Sequence, residues 1–177
     1  IETPALIGAT CDVLAELATS KGLRFRIRIA EDLPRIRADG RALRQSLLNL
    51  LSTALKFTPP EGEVRVHARQ DSQGRIVIAV ADTGIGIAEK DLKAVITPFT
   101  RVAPNDSATE GGTGLGLAIV KHIVNRHRGR LTIDKGCSSL SQGPSAHSCL
   151  VEVERYDGHL PDVKAFRQPP MTTADRL

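Results

Sequence analysis

The sequence predicts a two-layer α/β sandwich in which helices cover one face of a mixed, largely antiparallel sheet. Two segments near 41–57 and 115–127 carry apolar residues at helical spacing, and five short segments alternate or run apolar like strands. The connection at 70–74 has the turn residues of a hairpin. At 177 residues we expect one domain over 1–155, followed by an irregular tail at 156–177.

The first half of the chain predicts two helices and three strands. Residues 4–18 have helical spacing and Gly22 follows as a stop signal, and residues 23–29 alternate apolar residues with arginines. We interpret that arginine row as a solvated strand face. Asp39 stands where an N-cap belongs, a leucine-rich helix follows over 41–57, and two prolines end it. Residues 63–69 and 75–81 then form the hairpin.

The second half predicts a short helix at 89–95, a polar glycine-bearing segment at 100–113 and a helix at 115–127 that Gly129 ends. Strands at 130–134 and 150–154 follow. A Ser- and Gly-rich loop at 135–148 separates the two strands, and we have no physical account of its length.

Composition excludes several classes of protein. The formal net charge is +4, with 24 basic and 20 acidic residues, and aromatic residues make up 3%, so neither charge nor stacking surface calls for nucleic acid. The three cysteines lack C-x-x-C spacing, which fits a reducing compartment better than a zinc site or a disulfide framework. No apolar run reaches the ~20 residues of a membrane helix. We expect a cytoplasmic fragment of a longer protein that is itself not embedded in a membrane.

Three segments carry chemistry. The helix at 41–57 aligns Asn49, Thr53 and Lys56 in one polar row, which can present an amide oxygen, a hydroxyl and an ammonium to a magnesium–phosphate group. Residues 82–87 place Asp82 and two glycines after a buried strand, where a carboxylate can accept a hydrogen bond from a purine amine. Residues 111–117 bring glycines to a helix start, where backbone N–H groups suit phosphates. Each segment alone also fits an ordinary role: a solvent-exposed face, a tight turn and a hinge, respectively.

Together these segments resemble the GHKL ATP-binding superfamily, and their residue patterns are similar to those of sensor histidine kinases. Residues 49–59 resemble the N box, 82–87 the first glycine box, 97–101 the phenylalanine box and 112–120 the second glycine box. The resemblance covers roughly residues 4–154. It implies a Bergerat-type fold in which ATP lies between the long helices under a mobile lid, at 101–111 in this chain.

The resemblance also implies roles for individual residues. Asp82 would bind the adenine amine, Gly84, Gly86 and Ile87 would shape its pocket, and Lys56 would reach the phosphates. Asn49 and Thr53 would hold Mg²⁺, with Asn49 and Lys56 as the catalytic pair. The phosphate chain would meet Arg101 and the segment made of Gly112, Thr113, Gly114, Leu115 and Gly116.

The chain departs from the family at the metal site, because Thr53 stands where the N box usually has a magnesium-binding asparagine. A hydroxyl is still a hard oxygen ligand, so magnesium binding and a damaged metal site both remain open. The lid is also short of cations: residues 102–113 contain Asp106 and Glu110 but no Lys or Arg.

Two functions from different classes therefore compete: an active kinase domain, and a pseudokinase that docks to partners. A gyrase- or chaperone-like ATPase needs a helix glutamate to activate water, and residues 41–56 contain no Asp or Glu. None of the five histidines fits a phosphoacceptor site, so we expect the accepting histidine on a preceding dimerisation domain. That domain and a response regulator are the expected partners, with the full-length protein a homodimer that a membrane segment could anchor.

Overall fold

The computed structural model describes residues 1–100, 113–135 and 147–153. Its helices are α1 (Thr3–Ser20), α2 (Gly40–Phe57) and α3 (Gly116–Arg126). Its strands are β1 (Arg24–Ile29), β2 (Glu63–Gln70), β3 (Ile76–Asp82), β4 (Arg130–Lys135) and β5 (His147–Val153). The lid, most of the loop at 135–148 and the tail at 156–177 lie outside the described residues.

The five strands form one sheet in the order β1-β2-β3-β5-β4. The pair β1–β2 is parallel and the other three pairs are antiparallel, which confirms the mixed, largely antiparallel sheet. The hairpin of β2 and β3 is also confirmed, with Val66 opposite Val80.

The helices pack on one face of this sheet. Alternate residues of β2 and β3 on that helix-facing side join the core, and the leucines of α2 complete it from above. They are Val64, Val66, Ala68, Ile76, Ile78 and Val80 from the strands, with Leu43, Leu47, Leu50, Leu51 and Leu55 from the helix. The opposite side of the sheet, which we call the outer face, carries the residues between them.

Helix α2 begins where the sequence predicts. Asp39 has extended backbone, and its side chain accepts hydrogen bonds from the backbone N–H groups of Arg41 and Ala42, so it satisfies donors that a helix start leaves open. The helix ends at Phe57, just before Pro59.

Helices α2 and α3 are joined at the start of one and the end of the other. The backbone N–H of Asp39 donates to Nε2 of His127 over 3.1 Å, while Nδ1 of the same ring lies 2.8 Å from the carbonyl oxygen of Ile123. Both bonds form together only when Nδ1 carries the proton and Nε2 does not. His127 therefore bridges the two helices.

Two local predictions need correction. The helix at 89–95 is only a 3₁₀ turn over Glu89–Asp91, because so short a polar segment gains too little burial to extend a helix. Helix α1 buries Ile7, Cys11 and Ala18, whereas Val13 and Leu17 are 57% and 42% exposed. Its buried face thus runs through Thr3, Thr10 and Cys11, which the apolar count does not single out.

Candidate functional site

The polar row of α2 meets the start of α3. The amide nitrogen of Asn49 donates to the carbonyl oxygen of Gly116 over 3.5 Å, and its Oδ1 accepts from Nε2 of Gln45 at 3.1 Å. Gln45, one turn earlier, is a contact that the motif analysis does not identify. Gln45 orients the Asn49 amide. Its position four residues before Asn49 on the same helix could have identified this contact from the sequence.

Thr53 lies beside the same glycine. Its hydroxyl donates to the carbonyl oxygen of Asn49 at 2.7 Å, so the hydrogen is used within the helix and the oxygen keeps its lone pairs. That oxygen would lie 3.8 Å from a Cβ placed on Gly116. The hydroxyl oxygen therefore sits at the junction of the N box and the second glycine segment.

Lys56 is half-buried one turn further along α2, where its ammonium lies 5.2 Å from the centre of the Phe57 ring. This cation–π contact holds the long side chain near the last turn of the helix. The row predicted from spacing thus has Asn49 and Thr53 against α3 and Lys56 near the helix end.

Asp82 ends β3 on the helix-facing side of the sheet, since it pairs with Val64 of the core. Its Oδ1 accepts from the backbone N–H of Gly84 at 2.8 Å. A Cβ on Gly84 would lie 2.5 Å from the carbonyl oxygen of Phe57 and 2.7 Å from Oδ1 of Asp82. Only glycine fits there, because the first glycine segment passes directly against the end of α2.

Thr83 is a second residue that sequence analysis passes over. Its Oγ1 accepts from the backbone N–H of Glu63 at 2.9 Å, and its own N–H donates to the Glu63 carbonyl oxygen at 3.0 Å. Thr83 therefore fastens the segment after β3 to the first residue of β2. The motif Asp-Thr-Gly contains the signal, because a Thr beside a strand end can bond a neighbouring strand.

The second glycine segment needs an unusual backbone. Gly114 has φ +68°, and a Cβ there would lie 2.9 Å from the carbonyl oxygen of Thr100. Two residues later α3 begins without a capping side chain at Leu115, so its first N–H groups are available at the positive end of the helix dipole. Thr113 is exposed and Leu115 half-buried.

The structure thus brings both glycine segments to one helix: α2 touches the second through Asn49 and Thr53 and the first through Phe57. Gly86, with φ +71°, and Ile87 continue the first segment and are half-buried. Arg101 and Gly112 lie outside the described residues. In residues 1–100, 113–135 and 147–153, no three His, Cys, Asp or Glu side chains cluster as a metal site, and no helix there is long and apolar enough to cross a bilayer.

A separate cleft of about 510 Å³ lies between α1 and the start of α2, lined by Leu6, Ala9, Asp39, Gly40, Arg41 and Arg44. None of the described residues that are predicted to bind nucleotide lines it. Sixteen residues of helix separate Gly40 from Lys56, roughly 24 Å at 1.5 Å per residue. This cleft is a feature of the opposite end of α2.

Comparison with known proteins places these features in a family. A family model described as histidine kinase-, DNA gyrase B- and HSP90-like ATPase matches residues 38–153. The "Non-motile and phage-resistance protein" of Caulobacter vibrioides is 48% identical over 117 residues, 64% of this chain and 14% of that protein. The "Phosphate regulon sensor protein PhoR" of Pseudomonas aeruginosa is 43% identical, covering 66% of this chain and 26% of its own length.

A solved structure extends the comparison to the fold. Full-length ShkA in complex with AMPPNP matches with a TM-score of 0.72 at 27% identity, over 89% of this chain and 31% of ShkA. The aligned part of this chain spans about a quarter or less of the length of the Caulobacter vibrioides and Pseudomonas aeruginosa relatives. The family model covers the polar row of α2, both glycine segments and strands β2 to β5. The chain belongs to the family of histidine kinase-, DNA gyrase B- and HSP90-like ATPases, and within it to the ATP-binding catalytic domains of sensor histidine kinases.

Proposed function

We propose that this chain binds ATP with Mg²⁺ between the end of β3, helix α2 and the start of α3, and transfers the γ-phosphoryl group to a histidine outside the chain. The observation that carries the proposal is that α2 touches both glycine segments. One segment follows a carboxylate suited to a purine amine and the other opens a helix suited to phosphates. A single elongated ligand, a purine nucleotide with its phosphate chain, has both chemistries.

Asp82 is the proposed adenine ligand. Its bond from the Gly84 N–H fixes the orientation of the carboxylate, and a carboxylate accepts from several donors at once. An exocyclic amine can therefore bind while the backbone contact persists. Gly84, Gly86 and Ile87 form the proposed wall of this pocket, since the absence of a side chain at Gly84 lets the segment pass directly against Asp82 and the end of α2.

The phosphate chain has two proposed sets of partners. The backbone N–H groups of 112–116 are its proposed donors, and Lys56 adds a positive charge from α2. Arg101 is the proposed cation from the lid. Because the donors at 113–116 lie at the start of a formed helix, they stabilise developing charge without having to reorganise.

The residues present fit a magnesium ion. Mg²⁺ uses few protein ligands and completes its shell with water and phosphate oxygens, so the Asn49 amide oxygen and the Thr53 hydroxyl oxygen are a sufficient donor set. When bound, the ion neutralises charge on the phosphates. Thr53 contributes here because its hydrogen is committed to the Asn49 carbonyl and its lone pairs are not.

Phosphoryl transfer follows from positioning. A nitrogen of the accepting imidazole attacks the γ-phosphorus in line, the bond to the β–γ bridging oxygen breaks, and ADP leaves. Residues 41–56 contain no carboxylate that could activate water, which favours transfer to a partner over hydrolysis. The proposed partners are a helical dimerisation domain bearing the histidine, in a homodimer, and a response regulator. The proposed compartment is the cytoplasm.

Calorimetric titration with ATP and Mg²⁺ tests the adenine assignment, comparing Asp82→Asn with the unchanged chain. Asparagine keeps an oxygen for the Gly84 N–H, which turns its NH₂ toward the adenine amine and sets donor against donor. Loss of a charged hydrogen bond, about 1.5–3 kcal/mol, predicts affinity about 10- to 150-fold weaker. The matched control is Asp12→Asn, the same change on the exposed side of α1, which should leave affinity unchanged. Equal affinity in all three proteins would sink the assignment.

Thr53 also favours a second function, a pseudokinase that binds nucleotide weakly or not at all and acts by docking to partners. Titration with and without Mg²⁺ separates the two. For the kinase, ATP affinity should require magnesium, and Thr53→Asn should strengthen that requirement by supplying an amide oxygen. Thr19→Asn is the matched control, because Thr19 makes the same hydroxyl-to-carbonyl bond on exposed α1, to Ala15. ATP binding that is indifferent to magnesium in both the unchanged chain and Thr53→Asn would favour the pseudokinase.

A further inference from the structure

The outer face of the sheet carries a concentration of arginines on β1 and β2. The parallel register places Arg24 beside Glu63, Arg26 beside Arg65 and Arg28 beside His67, and paired residues share a face. Arg69 continues the row on β2. We call this set of five arginines, with Glu63 and His67, the basic face.

Within the described residues, one carboxylate forms ion pairs with arginines of the basic face. Glu63 has a 6% exposed side chain and pairs with Arg65 at 2.8 Å and with Arg26 at 2.9 Å. No carboxylate lies within ion-pair distance of Arg24, Arg28 or Arg69 in the part of the chain that the structure describes. These three side chains are exposed, so their charges face solvent.

The register opposes like charges. Two cations directly across neighbouring strands destabilise a sheet, and here Arg26 faces Arg65. Burial, together with Arg28, Arg65 and Arg69, lowers the pKa of His67, as expected where positive potential accumulates. Glu63, which pairs with both Arg26 and Arg65, offsets part of this conflict. Local conflicts of this kind are expected at functional sites.

We propose that the basic face is a docking surface for an acidic protein segment in extended conformation, with Asp or Glu at alternate positions. Same-side residues on a strand are spaced about 6.6–6.8 Å apart, so alternate carboxylates of an extended segment match the row Arg24, Arg26 and Arg28. The guanidinium fork binds carboxylates through two parallel hydrogen bonds, and all of the cations in the row are arginine rather than lysine.

An anionic bilayer is the competing occupant, and the face is poorly suited to it. Among the described residues, every large apolar side chain that is exposed lies elsewhere: on the helices, in loops, or, for Ile27, on the helix-facing side of β1 opposite Val66. The basic face therefore has nothing to insert into hydrocarbon. Electrostatic attraction alone would remain.

The test uses a nine-residue peptide that alternates Glu and Ser, labelled for fluorescence anisotropy, at low ionic strength. Arg24→Gln with Arg28→Gln should weaken its binding about fivefold or more, given that exposed ion pairs each contribute modestly. The control is Arg37→Gln with Arg44→Gln, an equal change in net charge at exposed positions off the sheet, which should bind as the unchanged chain does. Glu63 and its two arginine partners stay intact in every variant.

A peptide of the same composition with its glutamates in one block tests the register, and we expect it to bind more weakly. Phosphatidylserine vesicles provide the membrane arm. Equal loss in the two double variants, equal binding of the two peptides, or tighter binding to vesicles than to the alternating peptide would each overturn the proposal. ATP affinity should be unchanged by Arg24→Gln with Arg28→Gln, so this test stands apart from that of nucleotide binding.

Discussion

Gly84→Ala is the substitution for which the structure gives the most specific prediction. The added methyl would lie 2.5 Å from the Phe57 carbonyl oxygen, 2.7 Å from Oδ1 of Asp82 and 3.0 Å from the Phe57 carbonyl carbon. Ordinary contact begins near 3.4 Å, so the segment after β3 must withdraw from α2 by about 0.9 Å. The nearer neighbour is helix backbone, which cannot move away cheaply, and the other is the carboxylate of Asp82, the proposed adenine ligand.

Two effects follow from that displacement. Overpacking of this kind typically costs about 1–3 kcal/mol of unfolding free energy. Moving Oδ1 away from the Gly84 N–H also releases the Asp82 carboxylate, so we expect ATP affinity at least tenfold weaker, which corresponds to about 1.4 kcal/mol. Urea unfolding followed by circular dichroism measures the first effect and calorimetry the second.

Gly8→Ala is the matched control. Gly8 lies inside α1 with nothing within 4 Å of an added Cβ, so alanine should raise stability by about 0.5–1 kcal/mol and leave ATP binding unchanged. Unchanged ATP affinity in Gly84→Ala, or a shift of stability in the same direction in both alanine variants, would contradict this prediction.

Two further predictions concern the second glycine segment and Glu63. Gly114→Ala and Gly74→Ala both force alanine to positive φ and should each cost at least about 1 kcal/mol. Only at Gly114 would the added methyl also overlap the Thr100 carbonyl oxygen, at 2.9 Å, so calorimetry should find weaker ATP binding in that variant alone. The hydrogen-bonded guanidinium of Arg65 holds the pKa of Glu63 below its ordinary value, so the pair stabilises the fold above about pH 4.5 and its contribution disappears as pH falls through the lower folded pKa. Glu63→Gln should lose about 1–3 kcal/mol of unfolding free energy at neutral pH. Measured by urea unfolding, the stability of this variant should vary less below about pH 4.5 than that of the unchanged chain. Parallel pH profiles in the two proteins would contradict this prediction.

The helices of the candidate site are predictable because their signals are local. An Asp at the N-cap, a leucine period and two following prolines define α2 within one residue of its observed start. Glycines before an apolar period likewise mark the start of α3. Each signal depends on backbone groups and side chains only a few positions apart, which a sequence displays directly.

The contacts that complete the site are not local, and for that reason the sequence alone does not reveal them. The parallel pairing of β1 with β2 joins residues about 39 positions apart, and the sequence of neither strand indicates which strand it pairs with. The bond from Thr83 to Glu63 spans 20 positions and that from Asp39 to His127 spans 88. The basic face arises only once that pairing places two rows of arginines together.

The hydrogen bond to the imidazole of His127 can act as a pivot for helices α2 and α3. It joins α2 to α3 at Asp39, whereas the proposed ligand contacts at Asn49 and Thr53 lie toward the other end of the pair. Fourteen residues of helix separate Asp39 from Thr53, roughly 21 Å, so a tilt of about 5° around the imidazole opens the far end by roughly 2 Å. Displacements of about 1 Å already cost large factors in catalysis. A hydrogen bond far from the proposed phosphate site therefore bears on the spacing of the two helices there.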